Sequence, residues 1–276
     1  MARVSKPILI CGQQRSGTTA LQSALSHVDS VRNFGEIFQF SDYHINKTPH
    51  NFYYYLNNVH GHWKPLISVA QAEEEFRRYL DYLNSLTEAT YYVVDIKYNF
   101  WHHFAPGWVN NMGRPFMLEF FKKLEAPVVH VVRRNTFRQY VSNEIAARTA
   151  KWHFSEGDAS PPVEPFDIDV RDLEDHFEMV DGNAALFRKR LRGYPHSVEL
   201  CYENLFNGTT FTDEANRLLR QVLPGWIVSA AESQFVKSKS QQMEWVRNGE
   251  AIIDYFRESS YGVMVIDSLR PPLKSS

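Results

Sequence analysis

The chain has 276 residues, 43% of them hydrophobic and 22% charged, with a formal net charge of −2. This length buries a large core and reads as one domain over 1–276 with insertions, while near-neutrality excludes a global field that gathers nucleic acid or anionic membrane. Two cysteines exclude a disulfide framework, and the apolar run Ile8–Cys11 after polar residues 1–6 is too short for a signal segment or a membrane span, so the expectation is a cytoplasmic chain.

The first element is a buried strand, 7–12, followed by a tight loop and a helix that opens near Thr18. From Gly12 to Gly17 the loop has the Gly-x-x-x-x-Gly spacing of a phosphate-binding loop. Amides at a helix start are unpaired and carry the positive end of the dipole, and a glycine turn lets them curl around an anion. Ser16, Thr18 and Thr19 offer hydroxyls, and Arg15 offers a charged fork. Thr18 stands where a nucleotide triphosphatase carries its lysine, which argues against triphosphate hydrolysis.

A short strand over 30–34 leads to Glu36, whose neighbours Phe34, Ile37 and Phe38 are expected to desolvate it and raise its pKa. Residues 40–66 form an insertion rich in aromatics, among them Tyr43, Phe52, Tyr53, Tyr54, Tyr55 and Trp63. Phe76, Tyr79, Leu80, Leu83 and Leu86 recur at helical spacing, and a strand over 91–97 then ends in Lys97. A second aromatic run, 99–114, contains Phe100, Trp101, Phe104 and Trp108; such loops either stack on a ring-shaped acceptor or pack beneath themselves. Met117, Phe120, Phe121 and Leu124 mark another helix, and 127–132 is a β-branched run typical of a buried parallel strand.

That strand ends in Arg133-Arg134-Asn135, and a helical segment over 137–149 follows, carrying Ser142 two turns in. The second insertion, near 150–170, includes Asp158–Pro165, whose prolines forbid regular helix or central strand and suit a lid or rim loop. The clearest stripe is Leu173, Phe177, Val180, Ala184, Phe187 and Leu191. The last strand, 197–202, ends in Tyr202, either an exposed aromatic platform for a ligand or a core tyrosine, followed by Glu203, read as structural. A basic, hydroxyl-rich segment, Phe235–Gln241, leaves Lys237 and Lys239 as equal candidates for an anion contact.

Strands alternating with helices predict an α/β fold, a P-loop-like doubly wound parallel sheet of about five strands flanked by helices. Ligands in such folds sit past the carboxyl ends of the strands, where Gly12, Arg15, Glu36, Lys97, Arg134 and Tyr202 all fall. Cys11 and Cys201 lie in strands and read as small buried hydrophobes. His60 and His62, or His102 and His103, lack metal-ligand spacing, so no metal is expected.

Arg15-Ser16-Gly17-Thr18-Thr19, followed by Leu21 and Leu25, resembles the 5′-phosphosulfate loop of sulfotransferases that use 3′-phosphoadenosine-5′-phosphosulfate (PAPS), in particular the bacterial carbohydrate and Nod-factor types and the tyrosylprotein sulfotransferases. The resemblance implies that Arg134 and Ser142, at the family's spacing, bind the 3′-phosphate, that Tyr202 lies near the adenine, and that Lys237 or Lys239 covers the 3′-phosphate. It implies Glu36 as the base and Lys97, with Arg15, as the catalytic cations. Asn99 stands where the cytosolic enzymes carry a catalytic histidine, and His102 and His103 keep a histidine base open. The implied reaction transfers a sulfuryl group from PAPS, leaving PAP, to a carbohydrate or glycolipid hydroxyl, with a phenol, a steroid-like alcohol or a peptide tyrosine as other acceptors. The alternatives are a P-loop kinase for a small metabolite and a module that binds PAPS or PAP without turnover.

Overall fold

A computed structural model of the chain describes residues 5–60, 68–101, 116–152, 164–234 and 240–270. Five parallel strands form its main sheet: β1 (Lys6–Gly12), β2 (Val31–Glu36), β3 (Tyr91–Lys97), β4 (Val128–Val132) and β5 (Ser197–Cys201), in the order β2-β3-β1-β4-β5. The strands are apolar on both sides because both faces are covered. Ile8 to Cys11, Tyr92 to Lys97 and all of β4 are buried. The α/β doubly wound architecture expected from the alternation is therefore present, with helices on each face.

One face packs against helices Val69–Ser85 and Phe116–Lys123 and the end of Val170–Leu191, through Phe76, Tyr79, Phe121 and Phe187. The other is covered by helix α1 (Thr18–Ser26) and by helices Asp213–Leu219 and Gly225–Ala230, through Leu21, Leu25, Leu219 and Ile227. A third apolar cluster joins Thr136–Thr149 and the start of Val170–Leu191 to the C-terminal helices Gly249–Phe256 and Gly262–Leu269. Local signals set several boundaries. Ser68 and Gln71 form a capping box before Val69, and Asn135 accepts the Arg138 amide at 2.8 Å to start the helix that carries Ser142. Leu86, expected on the core stripe, is 39% exposed because it is the C-cap residue, past the last turn that faces the sheet.

The chain leaves β1 toward β2 and leaves β4 toward β5, so the crevice between the carboxyl ends of β1 and β4 is the topological switch point. Register fixes what meets there: Gly12 is level with Lys97 and Val131, and Glu36 is level with Asp95. A bulge between Asn33 and Gly35, with Gly35 at φ 64° and its amide donating to Asn33 Oδ1 at 2.8 Å, brings Glu36 onto the same face as Asp95 and Lys97.

Much of the aromatic insertion proves to be core. Phe52, Tyr55 and Trp101 are buried, whereas Phe40 and Tyr43 are exposed. Cys11 is buried as expected, but Cys201 is only half-buried and its thiol donates to Glu203 at 3.0 Å. No helix among the described residues is long and apolar enough to cross a membrane.

Candidate functional site

The loop after β1 turns through two left-handed residues, Arg15 at φ 63° and Gly17 at φ 85°. Both glycines are sterically required. A Cβ on Gly12 would meet the Val131 carbonyl oxygen at 2.5 Å, and one on Gly17 would meet the Tyr202 ring at 2.4 Å. Gly17 is the N-cap of α1, no side chain caps that helix, and its first turn carries no acidic residue. The amides that open α1 therefore keep their positive end toward the cleft.

Ser16 does not join them. Its hydroxyl donates to the Gln13 carbonyl and accepts from Gln139 Nε2 at 3.3 Å, so it braces the loop from inside. Gln139 also donates to the Gln14 carbonyl at 2.8 Å, tying the loop to the helix after β4. Arg15 lies across the cleft. Its Nε donates to Ser142 Oγ at 3.1 Å and its Nη1 to the Trp152 carbonyl.

Three charged groups meet beside Thr18. Lys97, 2% exposed, donates from Nζ to Thr18 Oγ1, pairs with Asp95 Oδ2 at 2.5 Å and with Glu36 Oε1 at 3.2 Å. Gln22 on α1 also donates to Asp95 Oδ2, while Oδ1 has no hydrogen-bond partner among the described residues. Burial raises the Asp95 carboxyl to about 6, against the pull of Lys97 and with a further push from Glu36. Burial opposes the charge on Lys97, yet the two carboxylates outweigh it and its pKa is raised. Thr18 thus receives a lysine after all, delivered from the end of β3 and not from the loop.

At the end of β4 the two arginines part. Arg133 donates to the Arg15 carbonyl at 2.9 Å, and its guanidinium lies 4.5 Å from the Tyr202 ring centre. Arg134 is exposed and lines two smaller pockets with Arg188, not the main cleft that Arg133 lines. The structure therefore brings Arg133, not Arg134, into the cleft with Ser142. Glu203 sets that phase: it accepts the backbone amides of Arg134 at 3.2 Å and Asn135 at 3.0 Å, which holds the turn. Arg15 and Arg133 both have lowered pKa values, first from burial; the like charge of Arg133 lowers Arg15 further, and Arg138 does the same to Arg133.

One cleft of about 630 Å³ contains Arg15, Gly17, Thr18, Thr19, Glu36, Lys97, Ser142 and Tyr202 in its walls. Phe40, Phe100 and Trp152 stand along it as well. Lys237, Lys239, His102, His103, Trp63, Phe104, Trp108 and most of the proline-rich stretch lie outside the described residues.

Sequence reading passed over two features. Asp95 is one; the two-residue alternation of β3 puts it on the face of Lys97, and that period was the signal available. The other is a hydrogen-bonded chain that runs from the buried Tyr98 and His130 out to the surface. His130, in the middle of β4, meets the Tyr98 hydroxyl at Nε2 and Glu199 Oε2 at 3.1 Å through Nδ1, and Arg188 grips Glu199 at 2.7 and 3.0 Å. Burial lowers the His130 pKa against the pull of Glu199. A neutral ring that donates to Glu199 and accepts from Tyr98 fits both contacts. Tyr98 is thereby anchored directly after Lys97, and Asn99 next to it accepts from Gln14 at 2.8 Å.

Compared with known proteins, the chain matches no protein-family model and no curated sequence.

Proposed function

We propose that the chain is a PAPS-dependent sulfotransferase acting on a hydroxyl acceptor. The observation that carries this reading is the convergence, in one cleft, of a lysine-free phosphate-type loop with Arg15, Lys97 and the carboxylate of Glu36.

The site's own chemistry fits an anionic ester. The α1 amides have no side-chain cap, the Gly17 cradle leaves no room for a Cβ, and the half-buried guanidinium of Arg133 sits close enough to disfavour the charge on Arg15. An anion held between them relieves that repulsion. Arg15, Thr18, Thr19 and the loop amides would hold the 5′ end, with Ser142 and Arg133 beyond it and Tyr202 offering its ring to the purine. When bound, PAPS supplies the sulfuryl group, whose bond to the phosphate oxygen breaks as the bond to the acceptor oxygen forms. Glu36 receives the acceptor's hydroxyl proton, a contribution of about 10²–10⁴-fold. Lys97 places positive charge where negative charge builds on the leaving oxygen, and the rigid loop supplies orientation.

A P-loop kinase would instead require a lysine on the loop after Gly17, where this chain has Thr18. Thermal stabilisation separates the readings. PAP at about 100 times its dissociation constant adds about 2.7 kcal/mol of apparent stability, a shift of about 5 °C for a chain of this length. Stabilisation by ATP–Mg²⁺ with none by PAP would refute the proposal. Transfer of labelled sulfate from PAPS to an acceptor distinguishes an enzyme from a binding module.

A further inference from the structure

The contacts of Lys97 raise a difficulty that the proposed reaction must meet. An ammonium has three N–H donors: two are given to Thr18 Oγ1 and Asp95 Oδ2, and the third side of the ammonium is taken up by the ion pair with Glu36 Oε1 at 3.2 Å. In this arrangement the lysine has no donor left for a ligand, and the carboxylate assigned as base is held by a cation.

The three partners are not equivalent. Asp95 is fully buried in β3, is the closer carboxylate at 2.5 Å, and its Oδ2 is also held by Gln22. It has nowhere to go. The Glu36 side chain is 25% exposed, stands further off at 3.2 Å, and follows the Gly35 bulge at the cleft wall. Losing Lys97 leaves Glu36 in contact with solvent, so the cost of separation is small; losing it would strand Asp95 in the interior.

We propose that Asp95 is a positioning residue that retains Lys97, and that Glu36 is its exchangeable partner: an anion arriving at Lys97 displaces Glu36, and the same event frees the carboxylate that takes the acceptor's proton. Cofactor binding and readiness of the base are then one equilibrium. The exchange forms and breaks no covalent bond; a ligand oxygen replaces Glu36 Oε1 at one N–H. The coupling is reciprocal, so Glu36 opposes binding of the anion through Lys97 as much as the anion releases Glu36. This inference rests on the sulfotransferase reading and goes beyond it.

The test is a double-mutant cycle on PAP affinity, measured by titration calorimetry with Glu36→Gln, Lys97→Met and the double variant, folding being checked by thermal melting. Glu36→Gln is expected to tighten PAP binding about fivefold or more while abolishing turnover. Removing a negative charge near an anion tightens binding on its own, so the deciding quantity is how much larger the effect of Glu36→Gln is with Lys97 than with Met at that position. A ratio above about threefold supports the exchange, and a ratio of about threefold or less overturns it. Glu36→Ala repeats the measurement should the glutamine retain the contact. A wild-type chain that binds no PAP refutes the sulfotransferase reading and this inference with it; a chain that binds PAP with no such ratio refutes only the inference.

Discussion

Replacing Lys97 with methionine tests the buried charge cluster most directly. The substitution keeps the side chain's length and removes its charge. Of the two carboxylates it leaves, Glu36 is 25% exposed and turns to solvent, but the Asp95 side chain is fully buried, keeps only neutral partners in Gln22 and the Thr18 hydroxyl, and has no hydrogen-bond partner on Oδ1 among the described residues. Breaking a buried pair from one side typically costs about 3–5 kcal/mol. For a chain of this length that is a fall in melting temperature of about 5–8 °C. The pH dependence gives a second handle. Folding already raises Asp95 from 3.8 to about 6, and loss of Lys97 raises it further. A carboxyl raised in the folded state holds its proton more tightly there than when unfolded, so stability falls as pH climbs from the unfolded value through the folded one. The deficit of Lys97→Met should therefore be largest at pH 8 and shrink on acidification through pH 6, and a second change, Asp95→Asn, should restore most of it. Urea unfolding at pH 5.5 and 8 measures both. A deficit below about 1 kcal/mol at pH 8, or no recovery in the double variant, refutes the claim that Lys97 neutralises a stranded carboxylate.

Arg15→Ala removes charge-assisted hydrogen bonds worth about 1.5–3 kcal/mol, so PAP affinity should fall about 10–150-fold by calorimetry; unchanged affinity would remove Arg15 from the site. Gly17→Ala places a Cβ 2.4 Å from the Tyr202 ring at φ 85°, and should cost about 1–2 kcal/mol of backbone strain alone and weaken PAP binding through the displaced ring. Gly35→Ala, at φ 64° in the β2 bulge, should lower turnover more than PAP affinity, because it moves Glu36 and leaves the loop alone. Burial would raise the Glu199 carboxyl, but His130 and Arg188 bring it down from 4.5 to about 2, so its pairing stabilises the fold above the unfolded value and that stability is lost as pH falls through about 2. The difference between wild type and Glu199→Gln should vanish over that range in an acid titration followed by circular dichroism.

The sheet was legible because its information is local. Runs such as Val128–Val132 and Tyr91–Ile96 are apolar apart from His130 and Asp95 and show no regular alternation, which marks strands buried on both faces, and helical stripes between them leave a parallel arrangement as the simple solution. The loop was legible for a related reason: a glycine followed by hydroxyls and one arginine at a strand–helix junction has few structural uses. Details of side-chain direction were not. Ser16 reads as a ligand donor beside Thr18 and Thr19, yet its hydroxyl turns inward because Gln139 arrives from a helix far along the chain. Phe52 and Tyr55 belong to an aromatic insertion whose sequence leaves open an acceptor platform or packing beneath the loop, and they are core, because Phe76 and Tyr79 lie against them.

The linear chain alone determined which segments become strands, which turn carries the glycines, and that Arg15, Glu36 and Lys97 sit at strand ends, since each follows from composition and period within a dozen residues. Tertiary structure alone decided that Arg133 enters the cleft while Arg134 leaves it, and that Lys97 is shared between Asp95 and Glu36. Neighbouring residues at a strand end point opposite ways, so one residue of phase reverses the outcome, and that phase is set by Glu203 gripping two amides from another strand's end. An ion pair between adjacent strands depends on register, and register is settled by the packing of the whole sheet.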